Sequence, residues 1–345
     1  MLFISEHLKF KNPKTLSRWA FLISILLAYV AIILGLALAG IPEYVSLFLP
    51  VPVATALYLY KYKPKKNLSK TKIGLLLTIL VTVGFLLPPA AAFLGYNNIL
   101  SQTANKTDSE KASSISHFVA TTNVNSNLPY LLPNMNFFLR HNSNLQKYLM
   151  TGVGACGEMA NSTVVLLNQL GLDARVVSFP GEDHVFVEVK LNGTWFTLDP
   201  GYFGGQLLTR EQRANYRIAE TTIGAISYVI AFQNGSFIEL TQDYVPTDTI
   251  VIKVNEGNLP KSNVPVYLTH TFMGKTQRLP SAEHTFNTDS NGTVTLHLGE
   301  LNYSEASGNT DHFFKIYVDG KETGLTVQSS GSNETRYAEI DFPRK

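Results

Sequence analysis

Three apolar runs dominate the first hundred residues of the sequence. Trp19–Ala39 and Ile73–Leu94 are uncharged runs of 21 and 22 residues, and Tyr44–Tyr60 is shorter and contains two prolines. About 20 apolar residues, at about 1.5 Å per residue, cross the ~30 Å hydrocarbon core of a bilayer. We therefore predict three transmembrane helices, at about 19–39, 44–60 and 73–94, within a membrane anchor of residues 1–97.

Basic residues flank these runs unevenly. Residues 1–18 carry four Lys or Arg and residues 61–72 carry six, whereas the loop at 40–43 carries none. The positive-inside rule places both basic stretches in the cytoplasm, so three spans deliver the rest of the chain to the outer face. We expect a multi-pass protein of the cell membrane, with a cytoplasmic N-terminus and an extracytoplasmic remainder. A cleaved signal peptide is the alternative for the first run, which exceeds the usual apolar core of about 7–15 residues.

The charge of the chain beyond residue 97 argues against one class of function. The formal net charge of the chain is +2, but only Glu6 and Glu43 are acidic before residue 97, which leaves 18 basic and 24 acidic groups beyond it. A nucleic-acid binder needs clustered Lys and Arg on its folded part, so we expect no nucleic-acid partner. Eight Asn-x-Ser/Thr sequons, seven of them beyond residue 97, are compatible with export and glycosylation.

A polar segment follows the membrane anchor, and after it comes a stretch with clear helix and strand patterns. Residues 98–129 are rich in Ser, Thr and Asn and predict a linker. A helical pattern runs from Cys156 to Leu170, and Gly171 stands where a helix commonly ends. Three strands are predicted next, and Asn-Gly at 192–193 is a strong hairpin signal between the last two: Ala174–Phe179, His184–Leu191 and Thr194–Asp199.

The predicted hairpin determines which side chains share a face. A two-residue turn at 192–193 places Asp199 opposite Phe186. His184 then lies on the same face, diagonal to Asp199. Diagonal neighbours on adjacent strands are ~7–8 Å apart at the backbone, within side-chain reach. We therefore expect a hydrogen bond between His184 and Asp199, with Glu188 on the same face.

The following residues complete an α+β domain that we assign to 130–245. A short polar helix is predicted at 207–219, and a second hairpin around Asn234-Gly235 joins strands at 226–232 and 237–241. A helix followed by consecutive antiparallel strands is an α+β arrangement.

From about residue 246 the pattern consists of short strands and turns only. About 100 residues of this kind predict a β-sandwich, over 246–345. The stretch 286–296 resembles extracellular immunoglobulin-like or carboxypeptidase-regulatory-like modules. The predicted strands are 249–254, 264–271, 293–298, 313–318 and 337–342.

The chain has one cysteine, Cys156, and its surroundings favour catalysis over simple burial. A thiol attacks an amide as the thiolate, and a helix start favours negative charge through its free N–H groups. A histidine can take the proton, and an acid behind it fixes the tautomer, which suits His184 and Asp199. The N–H of Cys156 is one natural donor to an oxyanion, and Gln146 is the candidate for a second.

Four motifs in order give the sequence a resemblance to a known family. They are Gly154-Ala-Cys-Gly-Glu-Met-Ala-Asn161, Leu170-Gly-Leu-Asp-Ala-Arg175, Asp183-His-Val-Phe-Val-Glu188 and Trp195-Phe-Thr-Leu-Asp-Pro200. Together they resemble the transglutaminase-like superfamily over about residues 130–245, and Cys-Gly-Glu, Ala-Asn and Asp-His are most similar to its peptide:N-glycanase branch. The resemblance implies a papain-like fold with Cys156 as nucleophile, His184 as base and acid, and Asp199 as the residue that orients His184.

The sequence departs from the family in two places. Phe186 stands where Trp is common, and the paired Cys-x-x-Cys zinc motifs of many peptide:N-glycanases cannot form with one cysteine. Around the triad, Glu158, Glu188 and Trp195 are expected in supporting roles.

The implied activity is a cysteine hydrolase or acyltransferase acting on protein or peptide amides, without a metal or a cofactor. Superfamily membership leaves the substrate and the acceptor open. The alternative is a catalytically inactive transglutaminase-like protein that binds a partner through the β-sandwich.

Overall fold

The computed structural model describes residues 94–123, 145, 148–149, 152, 154–220, 222–233 and 235–343. The predicted membrane spans lie outside the described residues, apart from Leu94 at the end of the third span. No helix in the described part of the chain is long and apolar enough to cross a bilayer.

The structure differs from the predicted linker at 98–129. Residues 94–103 form helix α1 and Asp108–Thr122 form helix α2. A capping box at the start of α2 joins Thr107 to Glu110, which satisfies N–H groups that a helix start leaves free. Side chains at helical spacing then suffice to bury one face of α2, although the segment is polar overall: Ala112, Ile115, Ser116 and Val119.

Helix α3 and a five-stranded antiparallel sheet form the centre of the first region. Helix α3 spans Cys156–Gln169, and Gly171 after it has φ +79°, the left-handed conformation that glycine adopts without strain. The remaining elements are β1 Ala174–Phe179, β2 His184–Leu191, β3 Thr194–Leu198, α4 Arg210–Ala219, β4 Ile230–Gln233, β5 Ser236–Glu239 and the single-turn helix α5 Thr241–Tyr244. The order of the strands in the sheet is β3-β2-β1-β4-β5.

The predicted hairpin at 192–193 is confirmed. Leu191 pairs with Thr194, and both turn residues have positive φ, +49° for Asn192 and +83° for Gly193. These values match the turn type whose twist suits a two-residue hairpin. The register continues to the pair of Val187 with Leu198, so Asp199 emerges from the sheet beside β2.

The C-terminal region consists of two further sheets that share one hydrophobic core. The strands are β6 Asp248–Glu256, β7 Leu259–Pro260, β8 Pro265–Phe272, β9 Lys275–Leu279, β10 Phe286–Asn287, β11 Thr293–Leu298, β12 Phe314–Val318, β13 Lys321–Val327 and β14 Thr335–Phe342. One sheet has the order β10-β8-β12-β13 with β9 added on β8, and the other has β11-β6-β14 with β7 added on β6. The immunoglobulin-like type of this region stays a prediction.

The five strands predicted from the sequence are all present, as β6, β8, β11, β12 and β14, but the two-residue strands β7 and β10 and the longer strands β9 and β13 were not expected. The two longer strands are mostly polar, and each pairs with one neighbour, β9 with β8 and β13 with β12. A strand that exposes most of its side chains lacks the alternating apolar pattern on which sequence prediction depends.

Candidate active site

The candidate nucleophile stands at the first residue of α3. Before it, Gly154 is tightly enclosed, because a Cβ there would lie within 3 Å of Glu158 and of the Tyr148 ring. The N–H of Ala155 donates to Glu158 Oε2 at 2.9 Å. The buried Glu158 therefore caps the helix that carries Cys156, which gives physical content to its expected supporting role.

Cys156 lies against the start of β2. Its side chain is half-buried, and the sulfur has a backbone hydrogen bond with Val185, the neighbour of His184. The charges of Asp183, Asp199 and Glu158 act on the thiol and raise its pKa, in addition to burial, which is the largest cause. Helix α3 thus brings the sole thiol to the segment that carries the candidate base.

His184 and Asp199 form a buried hydrogen-bonded pair. The distance from His184 Nε2 to Asp199 Oδ2 is 2.7 Å, and the two residues are only 4% and 2% exposed. The imidazole ring stacks on Phe186, with centroids 6.1 Å apart, and meets Tyr202 edge-on at 5.1 Å. The hydrogen bond expected from the hairpin geometry is present, and aromatic rings enclose the imidazole.

Arg213 on α4 is a residue of this site that sequence reasoning missed. Its side chain is fully buried, and Nη2 donates to Asp199 Oδ2 at 2.8 Å, to the same oxygen that binds His184. The guanidinium lies over the rings of Phe179 and Phe186, 5.3 and 5.1 Å from their centroids. The available signal was the recurrence of arginine at 210, 213 and 217 in a helix without an apolar face.

The charges of the site follow from burial. Burial lowers the pKa of His184, and it raises the pKa of the Cys156 thiol, with the carboxylates of Asp183 and Asp199 acting in the same direction. Burial alone would also raise the pKa of Asp199, but the attraction and hydrogen bonds of His184 and Arg213 outweigh it and lower the pKa. At neutral pH these pKa shifts favour a neutral thiol, a neutral imidazole and an ionised Asp199.

This resting state differs from the thiolate expected at the start of α3. The reason is that burial of the sulfur, together with the charges of Asp183, Asp199 and Glu158, raises the pKa of the thiol by more than the Val185 hydrogen bond lowers it. An ionised Asp199 accepts hydrogen bonds only, so the proton of neutral His184 resides on Nε2. The second ring nitrogen, Nδ1, is then the one able to accept a proton from a thiol.

Glu188 belongs to a separate buried network on the same sheet. It is fully buried and accepts from Arg175 at 2.6 Å, from Arg210 at 2.6 Å and from the Tyr244 hydroxyl at 2.7 Å. Trp195 covers this network, with the guanidinium of Arg175 4.0 Å from its ring centroid. These residues tie β1, β2, β3, α4 and α5 together beside the site, and none of these contacts reaches the His184–Asp199 pair.

Two further predictions concern the second oxyanion donor and a metal ion. Gln146, the candidate oxyanion donor, lies outside the described residues. Within the described ranges, no group of three or more His, Cys, Asp or Glu side chains is arranged to hold a metal ion.

Comparison with known proteins identifies the class of this region. Residues 97–200 match the family model of the transglutaminase-like superfamily. The match includes Cys156, His184 and Asp199, and it begins with α1, which extends the region N-terminally from the expected residue 130. The resemblance seen in the sequence is thus confirmed for the superfamily, whereas the nearer likeness to the peptide:N-glycanase branch is not confirmed. No curated protein matches the chain in sequence.

Solved structures give weaker similarities. The chain is 16% identical to a TGase over 44% of this chain and 38% of that one, with a TM-score of 0.27. A predicted protease from Parabacteroides distasonis is 15% identical over 50% of this chain and 32% of that one, with a TM-score of 0.30. Arylamine N-acetyltransferase from Salmonella typhimurium is 13% identical over 61% and 76%, with a TM-score of 0.21. The chain spans only about a third of each of the first two structures, and these scores are too low to support any inference.

Proposed function

We propose that the protein is a cysteine hydrolase or acyltransferase that acts on protein or peptide amides through a thioester on Cys156. The buried hydrogen bond of 2.7 Å between His184 and Asp199, beside the helix that starts at Cys156, carries this proposal. A buried imidazole that is oriented by a carboxylate, with the thiol hydrogen-bonded to the backbone of the next residue, Val185, suits acyl transfer. Membership of residues 97–200 in a superfamily that includes cysteine hydrolases and acyltransferases supports it.

The proposed reaction begins with a proton transfer. His184 Nδ1 takes the thiol proton as the sulfur bonds to the carbonyl carbon, and the resulting imidazolium is stabilised by ionised Asp199. The tetrahedral intermediate collapses as the C–N bond breaks, and the imidazolium gives its proton to the departing amine. Water or a second amine then attacks the thioester, and its proton returns to the sulfur through His184.

Substrate binding has to drive the first step, because the resting thiol is neutral. A carbonyl placed against the start of α3 would receive the developing negative charge near the free N–H groups of the helix, including that of Cys156. Gln146 remains the proposed second donor.

The proposal is tested with the full-length chain and casein as an unstructured substrate. The two readouts are the release of new amines and the incorporation of a labelled primary amine. We expect Cys156→Ala to abolish both and His184→Gln to reduce them at least about 10³-fold. His284→Gln, which changes a histidine of the C-terminal region, is the matched control and should retain activity. Equal turnover by the wild type and Cys156→Ala would instead support the inactive binding protein.

We further propose that the catalytic region is held on the outer face of the cell membrane by the N-terminal helices. The uneven distribution of Lys and Arg about the three apolar runs supports this orientation. Single cysteines introduced in a Cys156→Ala chain provide the test. A membrane-impermeant maleimide should label Lys321→Cys in intact cells and Lys65→Cys only after permeabilisation, and the reverse pattern would overturn the orientation.

A further inference from the structure

The turn before His184 is short and tightly enclosed. Residues 180–182 form one turn of 3-10 helix, and Asp183 follows in the left-handed conformation with φ +48°. A Cβ on the buried Gly181 would collide with the hydroxyl of Ser227. Since β2 begins at His184 itself, the position of the imidazole depends on how this turn is held.

The C-terminal β-rich region holds the turn through two buried hydrogen bonds. His270 Nε2, on β8, donates to the carbonyl oxygen of Gly181 at 2.8 Å. The hydroxyl of Tyr303, in the loop after β11, donates to Glu182 Oε1 at 2.6 Å. His270 and Tyr303 are 2% and 3% exposed, so water does not compete with either bond.

The same glutamate is also held from the catalytic side. Glu182 Oε1 accepts from the N–H of Ser227 at 2.9 Å, and the Glu182 carbonyl oxygen accepts from Arg217 Nη2 at 2.9 Å. Arg217 lies one turn after Arg213 on α4, the helix that also binds Asp199. Glu182 is therefore the point at which α4, the strand of His184 and the β-rich region meet.

The junction between the two regions has the character of a protein interior. Ile223, Ala225, Tyr228 and Ile230 lie in the same hydrophobic cluster as buried side chains of β6, β8, β11 and β12. Backbone hydrogen bonds also cross it, such as that from the Gly299 N–H to the Ser227 carbonyl at 2.8 Å. A close-packed junction transmits a displacement on one side to the other.

We propose that the β-rich region is a positioning element of the candidate active site and that Tyr303 is the main residue through which it acts. By fixing Glu182, Tyr303 fixes the turn from which His184 emerges. The inference rests on the proposed function, because it concerns the placement of the proposed base. It gives the C-terminal region a role within the catalytic unit, in addition to any partner that the region binds.

The test compares two tyrosine variants of the full-length chain. Tyr303→Phe removes the hydroxyl that binds Glu182. Tyr228→Phe is the matched control, because Tyr228 is buried at the same junction but donates to Glu239 on β5, at 3.3 Å. Hydrogen exchange by mass spectrometry is followed over residues 180–186, and kcat and KM are measured with the casein assay.

In Tyr303→Phe we expect exchange over 180–186 to accelerate about tenfold, the loss typical of one buried hydrogen bond. We also expect kcat to fall about five- to tenfold, with KM within about twofold, because the base is displaced while substrate contacts remain. Tyr228→Phe should match the wild type in all three. Equal exchange over 180–186 in the two variants, or a uniform acceleration throughout β6–β14, would overturn the inference.

A second pair of variants keeps the test decisive if Tyr303→Phe does not fold. His270→Gln weakens the bond to the Gly181 carbonyl, and His284→Gln is its control, because His284 Nδ1 bonds to the Ser281 hydroxyl at 2.8 Å, away from the turn. If exchange accelerates selectively over 180–186 in the variants but the wild type does not turn over amides, the proposed function alone is overturned. Turnover without any difference between the paired variants would overturn this inference alone.

Discussion

The candidate active site and the loop before β14 each enclose one buried aspartate. Asp248, at the start of β6, accepts through both oxygens, chiefly from the N–H groups of Ser330, Ser332 and Glu334 at 2.8 to 3.0 Å, and Arg336 Nε lies 3.3 Å from its Oδ2. Asp199 instead places a single oxygen, Oδ2, between His184 and Arg213. Its Oδ1 is buried and has no hydrogen-bond partner among the described residues.

The difference separates a structural carboxylate from a functional one. The groups around Asp248 have fixed geometry and cannot titrate, so they hold a loop in place at every ordinary pH. One partner of Asp199 can change its charge, and the proposed reaction requires that change. Because both partners bind the same oxygen of Asp199, the other oxygen lacks a hydrogen bond in the described part of the chain. A site in which the charge of His184 must change tolerates this incomplete pairing.

The largest expected effect is that of Asp199→Asn on activity. An amide in place of the carboxylate can present an N–H to His184 Nε2 and stabilise the wrong tautomer, so kcat/KM should fall about 10³- to 10⁴-fold in the casein assay. Asp248→Asn, measured well below its melting temperature, should stay within about twofold of the wild type. Retention of more than a tenth of wild-type activity by Asp199→Asn would contradict the role assigned to Asp199.

A smaller effect is expected when the charge of Arg213 is removed. Burial lowers the pKa of His184, and the charges of Arg217 and Arg213 lower it further. His184 acts as a base only when neutral, so activity is present above that pKa and lost below it. In Arg213→Gln the acid limb of the pH–kcat/KM profile, which reports the unliganded enzyme, should therefore move to higher pH, so that kcat/KM falls more at pH 6 than at pH 8. Arg213→Lys, which keeps the charge, should leave the limb near its wild-type position. An unmoved limb in Arg213→Gln would exclude an electrostatic role.

Asp248→Asn should affect stability and its dependence on pH. Although burial opposes it, the hydrogen bonds from Ser330, Glu334 and Ser332 lower the pKa of Asp248 to about 2. A lowered pKa stabilises the fold above about pH 4, the unfolded value, and the gain disappears as pH falls through about 2. We expect a loss of about 1–2 kcal/mol at pH 7. Thermal unfolding at pH 7 and pH 2.5 provides the measurement, and an equal loss at both would refute the linkage.

The smallest effect is expected at an exposed carboxylate next to the site. Lys275 Nζ lies 3.4 Å from Asp183 Oδ2, and both side chains are more than half exposed. Exposed ion pairs contribute little, so Lys275→Gln should change the free energy of unfolding by less than about 0.5 kcal/mol and kcat by less than about twofold. A larger loss of kcat would mean that this pair, too, positions the turn before His184.

The segment 174–199 was predictable because its signals are local. The strands β1 and β2 begin and end where the alternation of apolar residues places them, and Asn192-Gly193 specifies the hairpin register. A two-residue periodicity and a turn with positive φ are properties of a few neighbouring residues. The register then determined that His184 and Asp199 are neighbours, without any information from elsewhere in the chain.

The helix at Asp108–Thr122 was not predictable in the same way. Its buried face has only two large apolar residues, Ile115 and Val119, in an otherwise polar segment, so the apolar pattern is weak, and the Thr107–Glu110 capping box was the clearest local signal. Arg213 was missed for a different reason. A fully buried guanidinium is unfavourable by itself, and only the carboxylate of Asp199 and the surrounding aromatic rings make its burial possible.

The sequence alone determined the order of strands around the hairpin, the position of the sole thiol at a helix start, and the pairing of His184 with Asp199. These follow from backbone preferences and from the two-residue repeat of a strand, which act over short distances along the chain. Tertiary structure decided the neutral resting state of the thiol, the entry of Arg213, and the contact of Tyr303 with Glu182. Each of these depends on burial or on groups distant in sequence, and long-range packing alone brings such groups together.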